Sequence, residues 1–237
     1  MMFLLDWIYP PKCVACNMNF EPSYYGKKIW LCENCQPIIE ELEEPYCKKC
    51  GRPLPEFDVP CTECHRSVFS FKSHRAAFAY DGLVRELLHN VKFRSSLRTT
   101  EGLGELFAKS TAAKTLQGSY IVPVPLHSSK KRSRGFNQAL VLAEAVSKET
   151  GIPVGDMLKR TRKTVPQSSL DLVARKENLL NAFSFNDKYD IAGKDVILLD
   201  DIFTTSATCD ACSAVLMNNG ANSVMAISLA ITTKTDT

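Results

Sequence analysis

Residues 195–208 read Asp-Val-Ile-Leu-Leu-Asp-Asp-Ile-Phe-Thr-Thr-Ser-Ala-Thr, and this stretch decides the fold. Val196–Leu199 are apolar without alternation, which is typical of a strand buried on both faces of a parallel sheet. Asp200 and Asp201 follow at the predicted carboxyl end of that strand, where open α/β sheets bind their ligands. Thr204–Thr208 supply hydroxyls, small side chains and backbone N–H groups at a predicted helix start, which favours anion binding.

Two adjacent carboxylates would repel a bare phosphate group. The pattern becomes reasonable if the carboxylates hold neutral hydroxyl groups one sugar ring away from the phosphate. We therefore expect a ribose 5-phosphate group, with Asp200 and Asp201 on the sugar hydroxyls. The residues predicted to bind the phosphate are Thr204, Thr205, Ser206, Ala207 and Thr208. The alternative interpretation is a buried strand with an acidic helix entry and no ligand.

Four Cys-X-X-Cys pairs lie within the first 64 residues and form a second strong signal. Facing pairs of this kind place four thiolates tetrahedrally around Zn²⁺, at about 2.3 Å each. Pairing in sequence order gives two sites, Cys13, Cys16, Cys32 and Cys35, and then Cys47, Cys50, Cys61 and Cys64. This is the simplest pairing, and an interleaved pairing is the alternative that the sequence leaves open. We expect two structural zinc ions, which supply the folding energy of a region with little apolar surface.

The sequence favours other uses of cysteine less. Disulfides need an oxidising compartment, and the chain carries no recognisable secretion signal. An iron–sulfur cluster is compatible with four thiolates, but the spacing of the pairs favours zinc. His65 is interpreted as a bystander beside Cys64. Cys209 and Cys212 form a fifth pair, but they share a helical face with Leu216 and are predicted to be buried core residues.

The length and composition allow one metal-stabilised module and one larger domain. The chain has 237 residues, of which 45% are hydrophobic, so a domain of about 160 residues can bury a sizeable core. We assign residues 1–70 to a double zinc-ribbon region and residues 71–237 to the larger domain. Met1–Pro10 is apolar, but it lacks a basic start and is too short for a membrane span or a signal peptide. We therefore expect a cytoplasmic protein.

Strands and helices are expected to alternate along the larger domain. The expected strands are 71–80, 119–125, 196–199 and 223–231, and the expected helices begin at 82, 103, 139 and about 207. Alternation of this kind predicts an α/β fold with a doubly wound parallel sheet.

Basic charge is concentrated near the predicted ligand. The formal net charge is only +3, but residues 121–180 carry 11 basic and 5 acidic residues. The loop after the strand at 119–125 opens at a carboxyl end, as the loop after Asp201 does, so both can line one cleft. Its basic residues are Lys130, Lys131, Arg132 and Arg134. They suit a pyrophosphate or a nucleic-acid backbone, and a flexible solvated loop is the alternative. Residues 160–178 are interpreted as a mobile flap or an ordinary surface loop.

Residues 195–208 resemble the phosphoribosyl-pyrophosphate signature of type I phosphoribosyltransferases. The whole chain resembles the ComF family of bacterial competence and phosphoribosyltransferase-like proteins. The resemblance is carried by the cysteine pairs and by Cys-Gly-Arg-Pro-Leu at 50–54, Lys-Phe-Arg at 92–94, Arg-Gly-Phe-Asn-Gln at 134–138 and Asp-Asp-Ile-Phe-Thr-Thr at 200–205. One position departs from the pattern, because Ser206 stands where the family usually has Gly. Gly would give close backbone approach and free φ.

The resemblance implies a zinc-binding region, a type I phosphoribosyltransferase domain and a link to DNA uptake in transformation. It implies phosphoribosyl pyrophosphate with Mg²⁺ as the ligand, with Asp200 and Asp201 on the ribose 2- and 3-hydroxyls and Thr204–Thr208 on the 5-phosphate. Single-stranded DNA and competence-complex proteins are the expected macromolecular partners. Two non-catalytic alternatives stay open: a single-stranded-DNA-handling protein that uses the same pocket, and a zinc-ribbon adaptor in a membrane-associated uptake complex.

Overall fold

The computed structural model describes residues 2–25, 28, 30–57, 59–65, 68–162 and 181–233. Residues 163–180, which include most of the predicted flap at 160–178, lie outside the described residues, as do Lys27 and residues 234–237. Within the described part of the chain, no helix has the length and apolar character to cross a membrane.

Six strands and eight helices are defined within the described residues. The strands are β1 (Ser73–Ala79), β2 (Tyr120–Pro123), β3 (Leu158–Arg160), β4 (Phe183–Phe185), β5 (Asp195–Phe203) and β6 (Ser223–Ile231). The helices are α1 (Met2–Ile8), α2 (Thr62–His65), α3 (Gly82–Arg94), α4 (Leu97–Lys109), α5 (Thr111–Lys114), α6 (Ser128–Arg134), α7 (Gln138–Thr150) and α8 (Ala207–Asn218).

The centre of the larger domain is a four-stranded parallel sheet in the order β1-β6-β5-β2. Leu198 of β5 lies between Val122 of β2 and Ala226 of β6 in the register of the sheet. Strands β3 and β4 form a separate antiparallel pair. The prediction of an α/β fold with a parallel sheet is therefore confirmed, and the antiparallel pair is an addition that the sequence did not reveal.

Helices cover both faces of β5. Helix α7 packs against β2 and β5, α4 packs on α7, and α8 packs against β5 and β6. Each of the four residues Val196–Leu199 is at most 1% exposed, which explains why the strand is apolar without alternation. The close approach of α4 to α7 depends on Gly104, where an added Cβ would lie 3.0 Å from the Cβ of Ala145.

Two helix predictions need correction. The helix expected from 103 begins at Leu97, because Ser96 caps it by accepting a hydrogen bond from the N–H of Thr99; its polar first turn hides the apolar periodicity. That helix ends at Lys109, and the buried Ser110 caps the short α5. The basic loop after β2 also contains a helix, α6, which is polar throughout and carries no apolar repeat.

The amino-terminal cysteines form two tetrads. Cys13, Cys16, Cys32 and Cys35 form one group, and Cys47, Cys50, Cys61 and Cys64 form the other, with the sulfur atoms of each group within 4.8 Å of one another. Pairing in sequence order is therefore confirmed, and the interleaved alternative is wrong. Four converging sulfurs match the ligand set and spacing of structural zinc. His65 is the last residue of α2.

The first tetrad docks on α4. The N–H of Val14 donates to the carbonyl oxygen of Trp30 at 2.9 Å, and Trp30 lies directly over Gly102 of α4, where a Cβ would clash at 2.8 Å. Arg98 of the same helix donates to the carbonyl oxygen of Lys12 at 3.1 Å. These contacts join the first ribbon to the larger domain.

We expect two zinc ions per chain in native mass spectrometry of protein purified without chelators. Cys50→Ser should lower the count to one, because the second tetrad loses a buried thiolate ligand. The matched control is Cys209→Ala with Cys212→Ala, which should retain two. A count of one or none in the wild-type protein would contradict the two-site arrangement.

Candidate functional site

The carboxyl ends of β2 and β5 open into one cavity of about 240 Å³. The two strands stay in register beyond the sheet, because the N–H of Val124 donates to the carbonyl oxygen of Leu199 at 2.8 Å. Asn137 Nδ2 donates to the carbonyl oxygen of Val124 at 3.1 Å and holds the start of α7 against the same strand end. The polar residues that line the cavity are Lys92, Lys130, Arg134, Asn137, Gln138, Arg160, Asp200, Asp201, Thr204, Thr205 and Thr208.

The acid pair lies at the centre of this lining. Asp200 Oδ1 accepts the backbone N–H of Asp201 at 2.8 Å, and Asp201 Oδ1 accepts that of Ile202 at 2.8 Å. Lys92 Nζ lies 3.9 Å from Asp201 Oδ2. Burial and the neighbouring Asp201 carboxylate raise the pKa of Asp200 to about 8. A cation or hydroxyl donors beside the pair would therefore stabilise its charged form.

The predicted phosphate-binding residues form the turn between β5 and α8. Ser206 is the N-cap residue and α8 begins at Ala207, so the first N–H groups of the helix lack partners within the helix. Among the described residues, Thr205 Oγ1 is buried and has no hydrogen-bond partner. Thr204, Thr205 and Thr208 line the cavity. This turn can donate several hydrogen bonds to a phosphate group.

The structure separates the four predicted basic residues into two pairs. Lys130 and Arg134 line the cavity, whereas Lys131 and Arg132 are exposed and do not line it. Burial and the nearby Arg160 and Arg134 lower the pKa of Lys130, and burial lowers the pKa of Arg134 as well. An anion between these cations would relieve both effects.

Four further polar residues of the cavity, Lys92, Asn137, Gln138 and Arg160, were not among the predicted site residues. The ammonium group of Lys92 lies near the carboxylate of Asp201. Arg160 extends from β3, and its guanidinium lies 5.3 Å from the Phe183 ring centre. Gln138 is 2% exposed, and its Nε2 has no hydrogen-bond partner among the described residues. Lys92, Asn137 and Gln138 lie in segments that carry the family resemblance, and Arg160 begins the segment interpreted as a flap or surface loop.

Three residues near the cavity have structural roles. His127 caps α6, where its ring nitrogen accepts the N–H of Ser129 at 3.2 Å. Cys209 and Cys212 are 1% and 0% exposed. Burial raises the pKa of both thiols well above the usual value, as expected of core residues.

Comparisons with known proteins agree with this geometry. Residues 4–65 match the family model described as a double zinc ribbon domain. Competence protein F of Haemophilus influenzae is 30% identical over 226 residues, which cover 92% of this chain and 96% of that protein. The chain belongs to the ComF family.

Other relatives of this ComF-family protein have related names. Competence protein ComFC of Bacillus subtilis is 26% identical, with 88% of this chain and 89% of that protein covered. DNA utilization protein YhgH of Escherichia coli is 27% identical, with 91% and 94% covered. Among solved structures, adenine phosphoribosyltransferase from Leishmania donovani is 12% identical, with 60% of this chain and 68% of that chain covered and a TM-score of 0.36.

The departure at Ser206 has a structural explanation in this ComF-family protein. Ser206 has φ −59° and ψ −14°, an ordinary right-handed conformation that any L residue adopts. Its side chain makes no capping hydrogen bond. The backbone at this position therefore does not require the conformational freedom of glycine.

We expect Ser206→Gly to change the affinity for ribose 5-phosphate by less than about threefold, because serine already adopts the required φ. Glycine should lower the free energy of unfolding by no more than about 1 kcal/mol through its greater freedom in the unfolded chain. Titration calorimetry and thermal unfolding measure both quantities. Ser206→Ala is the control that removes only the hydroxyl. A tenfold gain in affinity for the glycine variant alone would show that the serine obstructs the site.

Proposed function

We propose that this ComF-family protein binds phosphoribosyl pyrophosphate with Mg²⁺ and transfers the phosphoribosyl group to an acceptor. The observation that carries the proposal is the convergence of Asp200, Asp201, the turn at Thr204–Thr208, Lys130 and Arg134 on one cavity. The turn takes the 5-phosphate, the carboxylates take the ribose hydroxyls, and the cations take the pyrophosphate. Each part of the cavity thus has a chemically matched part of the ligand.

The acid pair fits a magnesium-bearing ligand. Mg²⁺ prefers oxygen ligands and is bound through one or two carboxylates together with substrate phosphates. Burial and the neighbouring Asp201 carboxylate raise the pKa of Asp200, and a divalent cation beside the pair would offset both effects. Asp200 and Asp201 would help to hold the ion, which would neutralise part of the negative charge of the bound ligand.

The residues of the chain would promote transfer by positioning and electrostatics. Asp200 and Asp201 fix the ribose ring while its C1 carbon gains positive charge. Lys130, Arg134 and Arg160 stabilise the departing pyrophosphate, and a nitrogen nucleophile forms the new bond to C1 as the bond to pyrophosphate breaks. No covalent bond to the protein is needed. A cytoplasmic location is part of the proposal, because thiolate zinc sites suit a reducing compartment.

Replacing both acids, Asp200→Asn with Asp201→Asn, should lower the affinity for phosphoribosyl pyrophosphate by tenfold or more in calorimetry with Mg²⁺. A hydrogen bond to a charged group contributes about 1.5–3 kcal/mol, and about 1.4 kcal/mol corresponds to a factor of ten.

The matched control is Asp195→Asn, at the opposite end of the same strand. Asp195 is exposed and accepts from Ser223 and Asn222, so its replacement should leave the affinity within about twofold of the wild-type value. Equal affinities in the double variant and the control would exclude the assignment of the ribose to the acid pair.

A second candidate function, weak binding of single-stranded DNA, is favoured by the two basic residues that do not face the cavity. Lys131 and Arg132 are exposed on α6 beside the cavity entrance side chains Lys130 and Arg134. Relatives carry the names competence protein and DNA utilization protein. A cationic surface of this kind binds nucleic-acid backbones without reading sequence.

We expect single-stranded DNA binding that weakens with salt, with each neutralised phosphate adding about 0.7 to the slope of log affinity against log salt. Lys131→Ala with Arg132→Ala should lower the slope by about 1.4 and leave phosphoribosyl pyrophosphate affinity within about twofold. Fluorescence anisotropy at several salt concentrations measures the slope. An unchanged slope in this variant would show that DNA binds to another surface. If the wild-type protein binds no single-stranded DNA, DNA handling would depend on partner proteins.

A further inference from the structure

The second zinc tetrad touches the phosphate-binding turn through one side chain. Arg52 follows Cys50 by two residues and extends to the end of β5, where Nη2 donates to the carbonyl oxygen of Thr204 at 2.9 Å. Its Nη1 donates to the carbonyl oxygen of Thr232, just beyond β6, at 2.9 Å. One planar guanidinium therefore joins the ends of two neighbouring strands.

These two strand ends are also joined to each other. The N–H of Thr232 donates to the carbonyl oxygen of Phe203 at 3.1 Å. The hydroxyl of Thr232 donates to the carbonyl oxygen of Thr204 at 3.3 Å. The carbonyl oxygen of Thr204 thus accepts hydrogen bonds from the side chains of Arg52 and Thr232, on the side away from the anion site. Because a trans peptide directs its C=O and the following N–H in opposite directions, these bonds direct the N–H of Thr205 away from the zinc ribbon.

The position of Arg52 is set by the metal-binding turn. The N–H of Cys47 donates to the carbonyl oxygen of Arg52, and the N–H of Gly51 donates to that of Cys47, both at 2.8 Å. Gly51 has φ +72°, and a Cβ there would lie 2.8 Å from the carbonyl oxygen of His74. Glycine is therefore required at this position, and Arg52 is fixed relative to two of the zinc ligands.

A buried histidine provides a second connection between the same elements. One ring nitrogen of His74, Nδ1, lies 2.8 Å from the carbonyl oxygen of Cys50, and Nε2 lies 2.9 Å from Ser228 Oγ. The ring stacks on Phe203 with centroids 3.8 Å apart. Phe203 directly precedes Thr204, so the packing of this ring restricts the start of the turn.

We infer that Arg52 is a positioning residue for the phosphate-binding turn, and that the second zinc tetrad thereby forms part of the support of the anion site. Arg52 does not line the cavity, so it acts through the carbonyl of Thr204 rather than on the ligand. This inference rests on the proposed function, because the turn is taken to hold the 5-phosphate. The first tetrad docks on α4 and makes no such bond among the described residues.

The test compares Arg52→Ala with Arg75→Ala. Arg75 is a matched control because its Nη1 contacts the carbonyl oxygens of Cys47 and Lys48, at 3.4 and 3.5 Å, in the same metal-binding turn. Its Nη1 also donates to the carbonyl oxygen of His74 at 3.0 Å. Among the described residues, Arg75 makes no hydrogen bond to Thr204 or Thr232. Zinc content by mass spectrometry, affinity for phosphoribosyl pyrophosphate, and hydrogen exchange at 203–208 in the ligand-free protein are measured for each variant.

Arg52→Ala should retain two zinc ions, lose about tenfold in affinity and exchange faster at 203–208. Arg75→Ala should match the wild-type protein in affinity and in exchange at 203–208. Wild-type affinity together with wild-type exchange in Arg52→Ala would overturn the inference. If Arg52→Ala loses zinc, Arg52→Lys decides, because lysine keeps the charge but cannot join both carbonyls. If Arg52→Lys keeps two zinc ions but binds phosphoribosyl pyrophosphate more weakly and exchanges faster at 203–208, the inference is supported. Wild-type affinity and exchange in Arg52→Lys would overturn it.

Failure of the proposed function gives a different result. If the wild-type protein does not bind phosphoribosyl pyrophosphate, the assignment of this ligand is excluded. The exchange rates at 203–208 in Arg52→Ala and Arg75→Ala still decide whether Arg52 positions the turn. The two conclusions are therefore tested separately.

Discussion

The burial of β5 between two layers of helices is the constraint on which the site depends. Val196–Leu199 fill the centre of the sheet, and their burial fixes the register with β2 and β6. A slip of one residue would turn every side chain of the strand to the opposite face. The point at which the apolar run ends therefore determines where Asp200 and Asp201 emerge, and the parallel partner β2 brings the start of α6 to the same edge.

The cavity brings together charges that are unfavourable without a ligand. The pKa of Asp200 is raised and that of Lys130 is lowered, because burial and like charges disfavour the charged form of each group. A ligand with hydroxyl groups at one end and phosphate groups at the other would satisfy both sets at once. Such preorganisation favours binding and destabilises the ligand-free protein, which is a common property of functional sites.

The sequence predicted most of what depends on local pattern. The strand, acid pair, turn and helix at 195–218 were predicted from adjacent residues, and so were the cysteine tetrads. The sequence could not predict which basic residues face the cavity, because α6 has no apolar repeat to orient it. The contact of Arg52 with Thr204 joins residues 152 positions apart, and no local periodicity reports such a pairing. The buried Gln138 was missed for a similar reason, since its burial comes from tertiary packing.

A crystal structure of the protein with phosphoribosyl pyrophosphate and Mg²⁺ tests the central assignment most directly. We predict the 5-phosphate at the turn of Thr204–Thr208, the ribose hydroxyls within hydrogen-bond distance of Asp200 and Asp201, and the pyrophosphate beside Lys130 and Arg134. A ligand bound elsewhere, or bound in this cavity with its ribose away from the acid pair, would contradict the account.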